Sequence, residues 1–311
     1  MIKSNLKVRV TMWKGYLFNI ASILMMGIGP LISKFGLLNI STSVASVINT
    51  LTIILASYIL GKISKKSVNL YLTKDVTMLA VCNTIGVILM YVSLDLLSPV
   101  EIGFLGRFYT VFAVILAYII LKEKITSSEW LLVSLAILGT FMFISPSDNS
   151  DFNILGIVSA ILYTFFFALS NILIKLTITE GRESNSLLFT NNVWTLILVS
   201  IYLIIFNNNW NLNLSSVSLT AIAALMTGFL GTLFLYEALK RLRFSVANVM
   251  RATSPIILAF VSYPFFPVKL TTLNIFGAVI LILSVLIIGV VDFKKHSTLN
   301  KKNSDETALE S

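Results

Sequence analysis

The chain has 311 residues, of which 57% are hydrophobic and only 12% charged, and it carries a formal net charge of +9 at pH 7. Soluble globular domains average about 25% charged residues, so this composition, with a mean hydropathy of +0.91, excludes a water-soluble core. The single cysteine (Cys82) and single histidine (His296) exclude a disulfide framework and a His/Cys metal cluster.

In chain order, apolar runs occupy roughly residues 15–35, 42–61, 76–95, 100–121, 128–145, 154–176, 186–206, 217–239, 244–266 and 271–292. At 1.5 Å of rise per residue, about 20 residues cross the ~30 Å hydrocarbon layer. A membrane β-barrel needs alternating segments of about ten residues, whereas these runs are continuously apolar. The expectation is an all-α membrane protein with ten transmembrane helices. The N-terminal stretch MIKSNLKVRVTMWKG is basic like the start of a signal peptide, but no small-x-small cleavage site follows, so it reads as a retained first span. No GxxxxGK[ST] loop marks an ATPase, and no cofactor is expected.

With the N-terminus inside, 19 of the 23 Lys and Arg residues fall in the two terminal segments and the 2–3, 4–5, 6–7 and 8–9 connections. Lys34 and Lys269 fall at the outer side, and Arg107 and Arg251 fall within spans. This bias orients a multi-pass protein of the cell membrane with both termini cytoplasmic. The basic residues orient the chain in the lipid bilayer and do not indicate nucleic-acid binding.

The two halves repeat each other. SVASVINTLTIILASYIL at 43–60 lies over SLLFTNNVWTLILVSIYL at 186–203 with seven identities, pairing Asn49 with Asn192, Thr52 with Thr195 and Ser57 with Ser200. At an offset of 145, MYVSLDLLSPVEIG lies over LYEALKRLRFSVAN, pairing Tyr91 with Tyr236. At an offset of 141, PLISK lies over NILIK, pairing Lys34 with Lys175. Each half holds five spans, an odd number, so the halves are expected to insert with opposite orientation, an architecture in which a midplane site opens to each side in turn. The expected organisation is a cytoplasmic N-terminus (1–14), a first five-helix repeat (15–145), a second, inverted repeat (154–292) and a disordered cytoplasmic tail (293–311).

Ten spans in five-plus-five inverted repeats, with Lys34 and Lys175 closing the first and sixth, YEAL at 236–239, Pro255 in the ninth and Glu123 ending the fourth, resemble the EamA-type carriers of the drug/metabolite transporter superfamily. The resemblance covers about 13–292. It departs where the family has a tryptophan before the first-span lysine: Met26 and Phe167 stand near that column. The resemblance implies a secondary transporter in which spans 1, 3, 4, 6, 8 and 9 line a central cavity, with an amino acid as the first substrate guess.

Arg107 and Arg251 are the candidates for chemistry. Intramembrane arginines face the interior and mark substrate paths, and the guanidinium fork suits a carboxylate or phosphate. The alternatives are ion pairs, Arg107 with Asp95 or Glu101 and Arg251 with Glu237, or snorkelling to the interface. Tyr91, Tyr236 and Asn83 are further candidate substrate-binding residues, with interfacial or interhelical roles as the alternatives. Lys34 and Lys175 fit either snorkelling or a gating or substrate role, and Glu237 is the one candidate carboxylate for ion coupling. The primary reading is an alternating-access carrier of a small anionic or zwitterionic metabolite. A nucleotide-like or phosphorylated solute, a membrane sensor and a membrane-embedded enzyme are the alternatives, and a homodimer is left open.

Overall fold

A segment surrounded by lipid satisfies its backbone hydrogen bonds within itself, and a continuous apolar run does so as a helix. The computed structural model describes residues 2–98, 101–102, 105–106, 108–143, 153–179, 181–206, 212–251, 253–265, 271–280, 283–284, 287 and 291, and every regular element among them is helical. In chain order these are α1 (Ile2–Gly36), α2 (Thr42–Ile63), α3 (Lys74–Leu96), α4 (Phe108–Ile119), α5 (Ser127–Phe143), α6 (Ile154–Thr179) and α7 (Ser184–Phe206). Then follow α8 (Leu214–Ala223), a π-helical stretch (Ala224–Gly231), α9 (Thr232–Leu239), α10 (Phe244–Arg251) and α11 (Ser254–Ser262), and residues 272–280 are helical. Arg107, His296 and the expected tail 293–311 lie outside the described residues.

Among the described residues, six stretches are long and apolar enough to cross a membrane: Met12–Gly36, Thr42–Ile63, Lys74–Leu96, Ile154–Ile178, Ser184–Ile205 and Leu214–Leu239. Phe108–Ile119 and Ser127–Gly139 are shorter apolar helices. Helix α1 begins at Ile2, well ahead of the expected first span at 15. The expected run at 244–266 is two helices, because Thr253 folds back on the Met250 carbonyl (3.2 Å from its N–H) and Pro255 has no N–H to continue the ladder.

Contacts between connections sort them to two ends. At one end Lys66 pairs with Glu183 (3.5 Å), Arg182 with Asp75, and Arg243 with Glu129 (3.0 Å). At the other, Asn39 donates to Ser216 (3.3 Å), Asn274 donates to the Met142 carbonyl (3.4 Å), and the Phe35 and Phe265 rings meet edge-on at 5.5 Å. The runs between successive connections therefore alternate in direction, with α8, the π stretch and α9 counting as one run and α10 and α11 as another. Repeat mates also start alike. Thr126 and Glu129 form a reciprocal capping box (2.6 and 3.4 Å), and Thr271 and Asn274, 145 residues on, form another (2.7 and 3.3 Å).

The two halves interlock. Helix α3 packs most extensively on α6, and α1 packs along α8, the π stretch and α9. Glycines set these approaches: a Cβ at Gly86 would lie 2.5 Å from the Phe167 ring, and one at Gly231 would lie 2.8 Å from Met26 Cγ. Gly86 and Gly231 are 145 residues apart, and Met26 and Phe167 are 141 apart, so the same helix pair forms twice. Without a hydrophobic drive between helices in lipid, such small-residue contacts supply the association through van der Waals packing.

Candidate functional site

Between these helices lies a cavity of about 260 Å³. Three departures from α-helical hydrogen bonding border it. Pro30 interrupts α1 and leaves the Met26 carbonyl without an intrahelical N–H, and both residues line the cavity. The π stretch contributes Thr227 and Gly228. The interruption at Thr253 is flanked on the wall by Arg251 and by Ser254, the first residue of α11. Irregular backbone at membrane depth is tolerated where it lines a cavity or is buried in protein, and π segments recur at functional sites. The wall also carries five asparagines, Asn49, Asn83, Asn171, Asn191 and Asn192, and no Asp or Glu among the described lining residues.

Arg251 is the charged side chain among the described lining residues. Its guanidinium carbon lies 5.2 Å from the centroid of the Tyr109 ring, Nη1 donates to the Tyr109 hydroxyl at 3.4 Å, and Nη2 touches the Met26 sulfur. Tyr109 is fixed in turn. Its oxygen accepts from Asn171 Nδ2 (2.8 Å) and donates to Asn248 Oδ1 (2.7 Å), while Asn248 Nδ2 donates to the Phe244 carbonyl (2.8 Å). A hydroxyl offers one donor and two acceptor lone pairs, so the network spends the capacity of Tyr109 fully. It links α4 in the first half to α6 and α10 in the second.

The structure brings three of the sequence candidates, Arg251, Tyr236 and Asn83, to this cavity. Asn83 also bridges helices, donating to Thr195 Oγ1 at 3.1 Å. Tyr91 is as buried as its repeat mate Tyr236 (1% exposed each) but packs in an apolar cluster with Leu37, Ile40, Leu94 and Ala160. Glu237 stands apart from the cavity: its carboxylate accepts from Ser184 (2.8 Å), Lys240 (2.9 Å) and Arg241 (2.8 Å). Lys34 and Lys175 donate to the backbone carbonyls of Leu94 and Asp95, and of Leu239 and Leu242. Arg107 lies outside the described residues. Sequence reasoning missed Tyr109, Asn171 and the π stretch; Asn171, a lone amide in FFFALSNILIK, is the one with a visible signal.

The EamA-like transporter family model matches residues 13–145 and 154–290, one match per half. Chains of solved structures also match, 28 in number. One of them, described only as "Crystal structure of protein", aligns over 90% of this chain and 98% of its own with a TM-score of 0.71. At 12% identity that likeness is one of fold. No curated protein matches the sequence.

Proposed function

The chain belongs to the EamA-like transporter family, within the drug/metabolite transporter superfamily, and from that premise we propose that it is a ten-span, alternating-access carrier of a small carboxylate-bearing metabolite. The proposed organisation is two inverted five-helix repeats, 15–145 and 154–292, in the cell membrane with both termini cytoplasmic. The observation that carries the substrate reading is Arg251, set on the cavity wall where α10 breaks, beside the positive end of α11. Discontinuous helices whose N-termini face anionic groups are a recurrent way of holding substrate at the midplane of secondary transporters. Arg107 is assigned the same role from the first half.

An amino-acid-sized solute is favoured over a nucleotide-like one by volume, since about 260 Å³ falls just below the roughly 300–1,000 Å³ typical of pockets for drug-sized ligands. The neutral amide wall, with Asn83 and Tyr236 on it, suits the polar remainder of such a solute, and the aromatic and aliphatic lining suits a side chain. Movement is driven by solute or ion gradients. The test is a thermal-shift screen of purified protein against amino acids, other carboxylates and phosphorylated metabolites, followed by proteoliposome flux of the hits. Stabilisation by amino acids and saturable, gradient-driven flux are expected. Flux absent under every imposed gradient but present with ATP overturns the carrier reading, and stabilisation by phosphorylated metabolites alone overturns the substrate class.

A milder variant tests the network behind Arg251. Tyr109→Phe keeps the ring under the guanidinium but removes the hydroxyl that three side chains share. At about 0.5–1.5 kcal/mol per neutral hydrogen bond, KM for the solute should rise roughly three- to tenfold. Unchanged flux kinetics would assign the network to folding alone.

A further inference from the structure

Lys34 and Lys175 are repeat mates that make the same contact at opposite ends of the molecule. On α1, Lys34 Nζ donates to the Leu94 carbonyl (2.6 Å) and the Asp95 carbonyl (3.0 Å), in the last turn of α3. On α6, Lys175 Nζ donates to the Leu239 carbonyl, which ends α9, and to the Leu242 carbonyl (3.1 Å) beyond it. The last four carbonyls of a helix lack intrahelical donors, and the negative end of its dipole favours a cation there. Among the described residues neither ammonium has a carboxylate oxygen within 4.0 Å, so the direct ties are to carbonyls, while Asp95 and Glu101 near Lys34 and Glu123 near Lys175 add a longer-range attraction.

Each tie also bridges two packed units. Helix α1 is fixed to the π stretch by approaches too close for a Cβ, Gly29 on Thr227 and Gly231 on Met26, and packs on along α9, while α3 is fixed to α6 by Gly86 on Phe167. Lys34 joins α1 to α3 at one end, and Lys175 joins α6 to α9 at the other, so both cross from one unit to the other. The preceding residues, Ser33 and Ile174, line the cavity and are themselves repeat mates. An end of the cavity cannot open between the two units without its lysine letting go. Release is a simple exchange, since a compact, strongly hydrated ammonium trades carbonyls for the water that enters.

On the alternating-access reading above, we infer that Lys34 and Lys175 are paired latches, released in turn, that close the two ends of the solute path. The test is the labelling rate of a water-soluble maleimide at Ser33→Cys and at Ile174→Cys, each in full-length protein with Cys82→Ala. Removing a charge-assisted tie biases the two-state balance toward the end it held, so Lys34→Met should speed labelling at Ser33→Cys roughly tenfold and slow it at Ile174→Cys. Lys175→Met should do the reverse, and the double variant should return the ratio of the two rates toward that of the parent protein. A change of the same sign at both ends, or none at either, overturns the inference. If a methionine variant fails to fold, Lys34→Gln and Lys175→Gln carry the same expectation in weaker form. Flux by the unsubstituted protein, measured in parallel, separates the readings: flux with unshifted labelling overturns the latches alone, and absence of flux overturns the carrier.

Discussion

Arg251→Met should lower kcat/KM for a carboxylate-bearing solute by at least about a hundredfold, and Arg251→Lys should recover only part of that loss. Hydrogen bonds to charged groups contribute about 1.5–3 kcal/mol each, and a bidentate guanidinium makes two. At 1.36 kcal/mol per factor of ten, losing both prongs removes two decades or more. Lysine restores the charge without the planar fork, and it also loses the stacking of the guanidinium on Tyr109 at 5.2 Å. Proteoliposome flux at matched expression measures this, and an amide analogue of the solute supplies the control. If the carboxylate is what Arg251 reads, the analogue is a poor substrate of the parent protein and loses little more in the variants. Arg107→Lys, assayed beside it, tests the other half of the proposed pair. Kinetics equal to those of the parent in both lysine variants sink the anion contact.

How much of this was legible in the sequence depends on the range over which each feature is set. Apolar runs are local, so the helices appear where the runs are, whereas the Gly86–Phe167 and Gly231–Met26 contacts, related by the repeat offsets of 145 and 141, were not legible, because the offsets do not show which helices touch. Arg251 was visible because a charge in an apolar run is anomalous whatever surrounds it. The break beside it was half visible: Pro255 marks a missing N–H, but the fold-back of Thr253 does not. Glu237 has Lys240 and Arg241 three and four residues on, which on a helix is a local ion-pair spacing, and it is engaged there rather than in the cavity. Tyr109, Asn171 and Asn248 were not legible as a group, because their contacts span 62 and 139 residues and exist only once α4 meets α6 and α10. Nor was the π stretch, since nothing in ALMTGFLG distinguishes that hydrogen-bond pattern from an α-helix. Tyr91 and Tyr236 share a repeat column and a depth of burial, yet only Tyr236 borders the cavity. A repeat fixes which helix a residue is on, while its neighbours are drawn from the whole chain.

The tightest of the long-range approaches gives the second large effect. A Cβ added at Gly29 would lie 1.7 Å from Thr227 Cγ2, far inside any allowed contact, so Gly29→Ala must push α1 away from the π stretch. Overpacking of a close interface costs about 1–3 kcal/mol. Relaxation is hard here, because Pro30 follows on α1 and Thr227 is anchored to the Ala223 carbonyl at 2.7 Å. Gly29→Ala should therefore lower the thermal unfolding midpoint by several degrees. Thr227→Ser deletes the offending methyl while keeping the hydroxyl and its bond to Ala223, and leaves the new Cβ 3.1 Å from Cβ and 3.3 Å from the oxygen of residue 227. In the Thr227→Ser background Gly29→Ala should recover most of its stability, a coupling of the kind that double-mutant cycles isolate. Additive losses in the two variants would mean that α1 and the π stretch are not in this contact in the folded protein. Strong coupling would establish the approach on which the unit of α1 and α9 depends, and with it the rigidity that lets Lys34 and Lys175 act at the ends rather than in the middle.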